Sequence, residues 1–195
     1  GPVPGFFDGL APEKKQLIDS VLTAKNLSPA MLDQVGPAVL LSILSMQAFE
    51  CQDPKDMKSM ELELLKLEGA AGKPVDELET AEFQINLMNE FFKAEDLYTY
   101  LRDLDKMKAT TKDLVSKYFN NKVSEVEELL FKTSSFSPEK EEMMLTKRNQ
   151  EWLTKMPEMM KANPTFFAVG AGHLLGKNGV IQLLKDKGYK VTPVL

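Results

Sequence analysis

Asn163-Pro-Thr-Phe-Phe-Ala-Val-Gly-Ala-Gly-His-Leu-Leu-Gly-Lys-Asn-Gly-Val-Ile-Gln-Leu-Leu-Lys-Asp-Lys-Gly-Tyr-Lys-Val-Thr-Pro193 is the stretch whose reading decides the fold. It reads as strand, glycine loop, helix, strand. Thr165 to Val169 is rich in aromatic and β-branched residues, which favour a pleated, half-buried strand. Gly170, Gly172, Gly176 and Gly179 make the loop. The pattern predicts a helix from Asn178 to Lys187, with Asn178 as N-cap and Gly188 at the C-cap. Tyr189 to Thr192 returns as a strand that Pro193 ends. His173, the only histidine in the chain, lies in the loop. In open α/β sheets ligands bind just past the C-terminal ends of strands, and glycines let backbone approach a ligand closely. The loop is therefore the expected chemical centre. The plainer alternative is a strand-to-helix turn whose histidine only bonds to backbone.

Outward from this unit the chain reads as helical. Pro12 to Lys25 carries an apolar stripe of Leu17, Ile18, Val21 and Leu22, and Pro12 suits a first turn. Ser28-Pro29 opens a short helix to Gln34, and Pro37 to Phe49 is apolar nearly all round. Cys51 to Lys55 reads as a loop. Lys58 to Ala70 is helical, Gly72 ends it, and Lys73 to Leu78 is a third strand candidate. Thr80 caps a helix to Phe92. Ala94 to Tyr118 and Val123 to Lys132 follow as helices. The last long helix starts at Ser137-Pro138 and reaches Ala162, with a kink or break expected at Pro157. Residues 1–10 hold two prolines and three glycines and read as an irregular arm, with residues 11–195 as one domain. The fold class predicted is thus α/β (α+β, helix-dominated), with a small incomplete sheet of about three strands, a large helical insert and the C-terminal strand-loop-helix-strand unit. Three strands are few for a sheet that must cover a helical layer, so part of the sheet is expected to be missing.

Composition narrows the function. The chain has 195 residues, 43% hydrophobic and 27% charged, with net charge −5 and scattered basic residues. That pattern does not suit a nucleic-acid surface. No apolar run approaches the roughly 18 residues that a membrane span needs. Cys51 stands alone, so no intramolecular disulfide and no cysteine-rich metal site can form. The opening Gly1-Pro2 reads as the scar of a tag-removing protease, with a native start and localisation signal expected upstream.

Besides His173, Glu79 stands at a strand end and helix start, where a carboxylate can ligate a metal or act as general base, or simply complement the helix dipole. Arg148 and Trp152 are four apart and share a helical face. An arginine there can hold a carboxylate or oxyanion, or make an ordinary ion pair. The methionines of the last helix read as core filler. One histidine forbids a His-Glu-x-x-His site, and one His with one Glu gives two strong ligands where a catalytic zinc wants three.

These residues resemble the TraB/GumN family, which includes the Tiki-type proteases. Phe166-Phe-Ala-Val-Gly-Ala-Gly-His-Leu174, Gly176 to Gly179, Leu183-Leu184, Gly188-Tyr189 and Val191 match its C-terminal signature. Arg148-Asn149-Gln-Glu-Trp152 resembles its Arg-Asn-x-x-Trp segment, and Leu78-Glu79-Thr80 its Leu-Glu-Thr segment, with Gly72-Lys73-Pro74-Val75 leading in. The resemblance implies a mixed α/β domain with a helical insert and a site built from two Gly-x-x-His motifs. It implies a divalent-metal-dependent peptidase (manganese, cobalt or zinc) acting on a peptide, and, as for many bacterial members, an extracytoplasmic location. Gly170 and His173 match the second Gly-x-x-His. His173 and Glu79 would be the metal ligands, and His173, Glu79 and Arg148 the catalytic set. Asn149, Gly170 and Gly172 would bind substrate.

The first Gly-x-x-His has no counterpart here: the segment is cut away, lost from the gene or supplied by a separate chain, and in each case the chain is expected to be inactive alone. The alternative is a non-catalytic binding module that self-associates as a homodimer through open sheet edges. Haem, bound by distant relatives, has no local motif here.

Overall fold

The computed structural model describes residues 5–28, 39–40, 42–46, 58–132 and 137–194, with 68–71 by backbone alone. The predicted helix 28–34 lies almost wholly outside these residues, as does Cys51. The chain divides into two compact units, one of residues 1–56 and 79–116, the other of 57–78 and 117–195.

The first unit is built on helices α1 (Pro12–Ala24), α3 (Ala81–Phe91) and α4 (Ala94–Arg102), with further helical residues at 39–40 and 42–46. Its core consists of three pairs spaced four apart: Ile18 and Leu22, Leu40 and Leu44, Leu97 and Leu101. Residues four apart share a helical face, so each pair is one helix's contribution to the same apolar contact. The turn at residues 5–10 closes with Asp8 N–H donating to the Gly5 carbonyl at 2.9 Å, and Phe6 and Phe7 pack against this core. Thr80 caps α3 by accepting from Phe83 N–H at 3.1 Å, and the Asp96 carboxylate accepts from Lys93 N–H at 2.9 Å at the start of α4. The Lys14–Glu95 pair at 2.8 Å links α1 to α4 but is open to solvent, so it contributes at most about 1 kcal/mol.

The continuous helix expected over 94–118 is two helices, α4 and α5 (Leu104–Phe119). Asp103 (φ −102°, ψ 24°) leaves helical geometry and forms a bidentate pair with Arg102 at 2.7–2.9 Å. Its carbonyl still accepts from Met107 N–H, so one residue ends one helix and opens the next.

The second unit holds α2 (Met60–Ala71), α6 (Val123–Phe131), α7 (Pro138–Glu141), a π-helical turn (Glu142–Thr146), α8 (Lys147–Ala162), α9 (Ala171–Leu174) and α10 (Val180–Asp186). Trp152, Leu153, Met156 and Val180 form its core, flanked by Leu78, Met160, Phe167, Val169, Leu174, Leu183 and Leu184. The break in the last long helix falls at the π turn, where Lys147 N–H donates to the Glu142 carbonyl. α8 then runs on through Pro157.

The predicted sheet is not formed. Among the described residues there is no strand, and the fold is helical rather than α/β. The three strand candidates fail for one reason: a strand exists through ladder bonds to a neighbour, and none is made here. Residues 165–169 keep the strand's alternation, with Phe167 and Val169 turned to the core and Phe166 and Ala168 exposed. The period of two therefore sets which side chains are buried without a partner strand. Residues 73–78 stay exposed until Leu78, whose carbonyl accepts from Lys155 Nζ at 2.8 Å. Residues 189–192 are likewise non-helical and outside any ladder. Among the described residues there is therefore no open sheet edge of the kind expected to drive self-association. The C-terminal helix also starts later than predicted: Gly179, not Asn178, is its N-cap.

Leu97 is fully buried between the apolar pairs of the first unit. Leu97→Ala should cost about 2–5 kcal/mol of stability, measured by urea unfolding followed by circular dichroism.

Candidate functional site

α8 supplies one wall of the site. Asn149, Trp152, Leu153 and Met156 are its buried residues, at the i, i+3, i+4, i+7 spacing of one helical face. A buried primary amide on an apolar face must find partners or cost stability. Asn149 finds three. Its Nδ2 donates to the Asn178 carbonyl at 2.8 Å and to the His173 carbonyl at 3.3 Å. Its Oδ1 lies 2.7 Å from His173 Nδ1.

The loop from Gly170 to Gly179 supplies the other wall. His173 sits in the single turn α9, closed by its N–H donating to the Gly170 carbonyl at 2.9 Å. His173 is buried, 9% exposed. Two glycines are sterically required. Gly176 has φ +79°, where side chains are strained, and the Phe131 ring packs beside it. At Gly179 a Cβ would collide with the carbonyls of Leu174 and Leu175. Asn178 Nδ2 donates to Thr146 Oγ1 at 3.3 Å, which ties the loop to the residue that ends the π turn.

The His173 imidazole lies against the Trp152 indole, ring centroids 4.4 Å apart and planes inclined by 38°. Arg148 lies over the same indole at 5.4 Å and donates to the Met144 carbonyl at 2.9 Å. Trp152 Nε1 is buried with no hydrogen-bond partner among the described residues, an arrangement that typically costs about 1–3 kcal/mol.

His173, Asn149, Arg148, Gly170 and Gly172 all belong to this unit. Glu79 belongs to the first unit, where its carboxylate accepts from Gln84 Nε2 at 3.3 Å just before the Thr80 cap. Among the described residues no three His, Cys, Asp or Glu side chains come together as a metal site. One imidazole falls short of the three ligands a catalytic zinc needs, so these residues alone do not fit a divalent ion. Sequence reasoning singled out neither Thr146 nor the role of Asn178. The available signal was Asn149 itself, a polar residue on the same stripe as Leu153 and Met156.

The TraB/PrgY/gumN family model matches residues 4–193. Two curated relatives are similar over a short stretch. Metalloprotease TIKI2 of Danio rerio is 37% identical over 51 residues, covering 25% of this chain and 10% of the relative. Metalloprotease TIKI2 of Xenopus tropicalis is 41% identical over 51 residues, again 25% and 10%. The match therefore spans a tenth of each relative's length. No solved structure matches the chain.

Gly179→Ala should destabilise the second unit by about 1–3 kcal/mol, because the backbone must shift to admit the methyl group. Trp152 is the only tryptophan, so its emission should move to the red as the loop loosens around it.

Proposed function

The chain belongs to the TraB/PrgY/gumN family, and from that premise we propose that it carries part of the catalytic centre of a hydrolase acting on peptide bonds. The observation that carries this reading is the setting of His173: one buried imidazole, held between the Asn149 amide and the Trp152 ring, with Arg148 on the same indole. A reacting imidazole needs a defined orientation and limited access to water, and this setting supports both. In the proposal His173 supplies the basic nitrogen. Arg148 offers positive charge to a substrate carboxylate or a developing oxyanion. Gly170 and Gly172 let substrate backbone come close.

Metal dependence enters the proposal from the relatives' printed name alone. Since His173 is the only histidine, any further imidazole must come from outside this sequence. An extracytoplasmic location is proposed on the resemblance described above.

The test is peptide hydrolysis by the full gene product, followed by mass spectrometry of a peptide mixture. Cleavage should need added manganese, cobalt or zinc after chelation. It should fall by about 10²-fold or more in His173→Ala, the scale of a lost acid–base group. Cleavage that His173→Ala leaves untouched, or none at all by the full product, would refute the reading.

A second reading, association with another copy of the chain, is favoured by Leu62 and Leu65, exposed three residues apart on one face of α2. Contiguous exposed apolar surface marks contact sites. Light scattering should show a mass that rises with concentration and falls back in Leu62→Lys. A constant monomer mass over a wide concentration range would rule this reading out.

A further inference from the structure

We propose that Asn149 is a positioning residue: it holds neutral His173 as the Nδ1–H tautomer and so places the imidazole lone pair on Nε2. The consequence for catalysis rests on the hydrolase reading above; the tautomer assignment does not.

The argument starts from what each atom can do. Backbone carbonyls only accept hydrogen bonds. Two of them, from Asn178 and His173, lie 2.8 and 3.3 Å from one end of the Asn149 amide. That end must therefore be the NH2 group. Turning the amide over would set its oxygen against both carbonyls and forfeit both bonds at a residue that is 1% exposed.

With the NH2 group assigned, the other end is oxygen, and oxygen too only accepts. It lies 2.7 Å from His173 Nδ1, a short contact for N–H···O. A proton on Nδ1 makes this a hydrogen bond. A lone pair on Nδ1 would face the oxygen lone pairs at the same distance in a buried site, which is repulsive. Neutral imidazole carries one proton, so placing it on Nδ1 leaves the lone pair on Nε2.

The amide is itself held. The Asn178 side chain donates to Thr146 at 3.3 Å, and Thr146 lies three residues before Asn149 on the same helical run. Trp152, three residues after Asn149, lies against the imidazole. α8 thus sets the ring's orientation through Trp152 and its proton through Asn149. The tie is neutral, so it orients the ring without adding charge beside it. Outer partners of this kind typically change activity or metal affinity by about 10–100-fold when removed.

The single histidine makes the test direct. With isotopically labelled histidine, the wild-type chain at a pH where the ring is neutral should give one protonated ring nitrogen, Nδ1, and one carrying a lone pair, Nε2. A proton on Nε2 in the wild type would overturn the proposal. Asn149→Ala should move the proton largely to Nε2, the tautomer favoured in water; an unchanged Nδ1–H form in the folded variant would also overturn it. Should Asn149→Ala fail to fold, the wild-type measurement decides alone, since a proton on Nε2 there overturns the proposal.

In the full gene product Asn149→Ala should lower kcat by about 10–100-fold with little change in KM. The expected tautomer in a product that cleaves no peptide would leave the proposal standing and remove the hydrolase reading. The expected tautomer, with peptide cleavage that Asn149→Ala does not slow, would overturn the positioning role.

Discussion

The site depends on the need of one buried amide to be fully satisfied. Asn149 occupies a position on α8 that its neighbours Leu153 and Met156 make part of the core. Leaving a polar group unpaired there would cost about 1–3 kcal/mol. Satisfying it draws together a helix and a loop distant in sequence, since its partners lie 24 and 29 residues away. The loop cannot keep its bonds to Asn149 and move freely, so the amide that secures the fold of the second unit also sets the geometry of the only histidine.

The π turn is the second constraint. A turn of this kind adds one residue to the helical ladder, which rotates every later side chain by about 100° relative to the preceding turn. Asn149, Trp152 and Met156 therefore face inward in a frame set by Glu142–Thr146 rather than by the helix start at Pro138. Thr146 ends that turn and receives the Asn178 side chain. Both the rotation and the anchor of the loop come from the same irregular segment.

Much of the helical content was legible. Pro12, Thr80 and Ser137-Pro138 mark helix starts where helices begin, because caps and first-turn prolines act locally. The stripe of Ile18 and Leu22 is buried as its spacing predicts. The strands were not legible as strands. Phe167 and Val169 alternate correctly, yet alternation only states which side chains face the core; a ladder requires a second segment in register. Glu79 illustrates the same limit for the site. Its place before the Thr80 cap was readable, but its neighbours belong to another part of the fold than those of His173.

The sequence by itself determined where several helices start, which faces are apolar, and that the loop from Gly170 to Gly179 holds the one histidine. Those are local properties of period, capping and glycine placement. Only the tertiary structure decided that His173 is buried, that Asn149 and not backbone alone holds its ring, and that Asn178 serves the loop rather than capping the last helix. Each of these rests on hydrogen bonds between groups that share no local period, and such bonds are settled by packing rather than by neighbours in the chain.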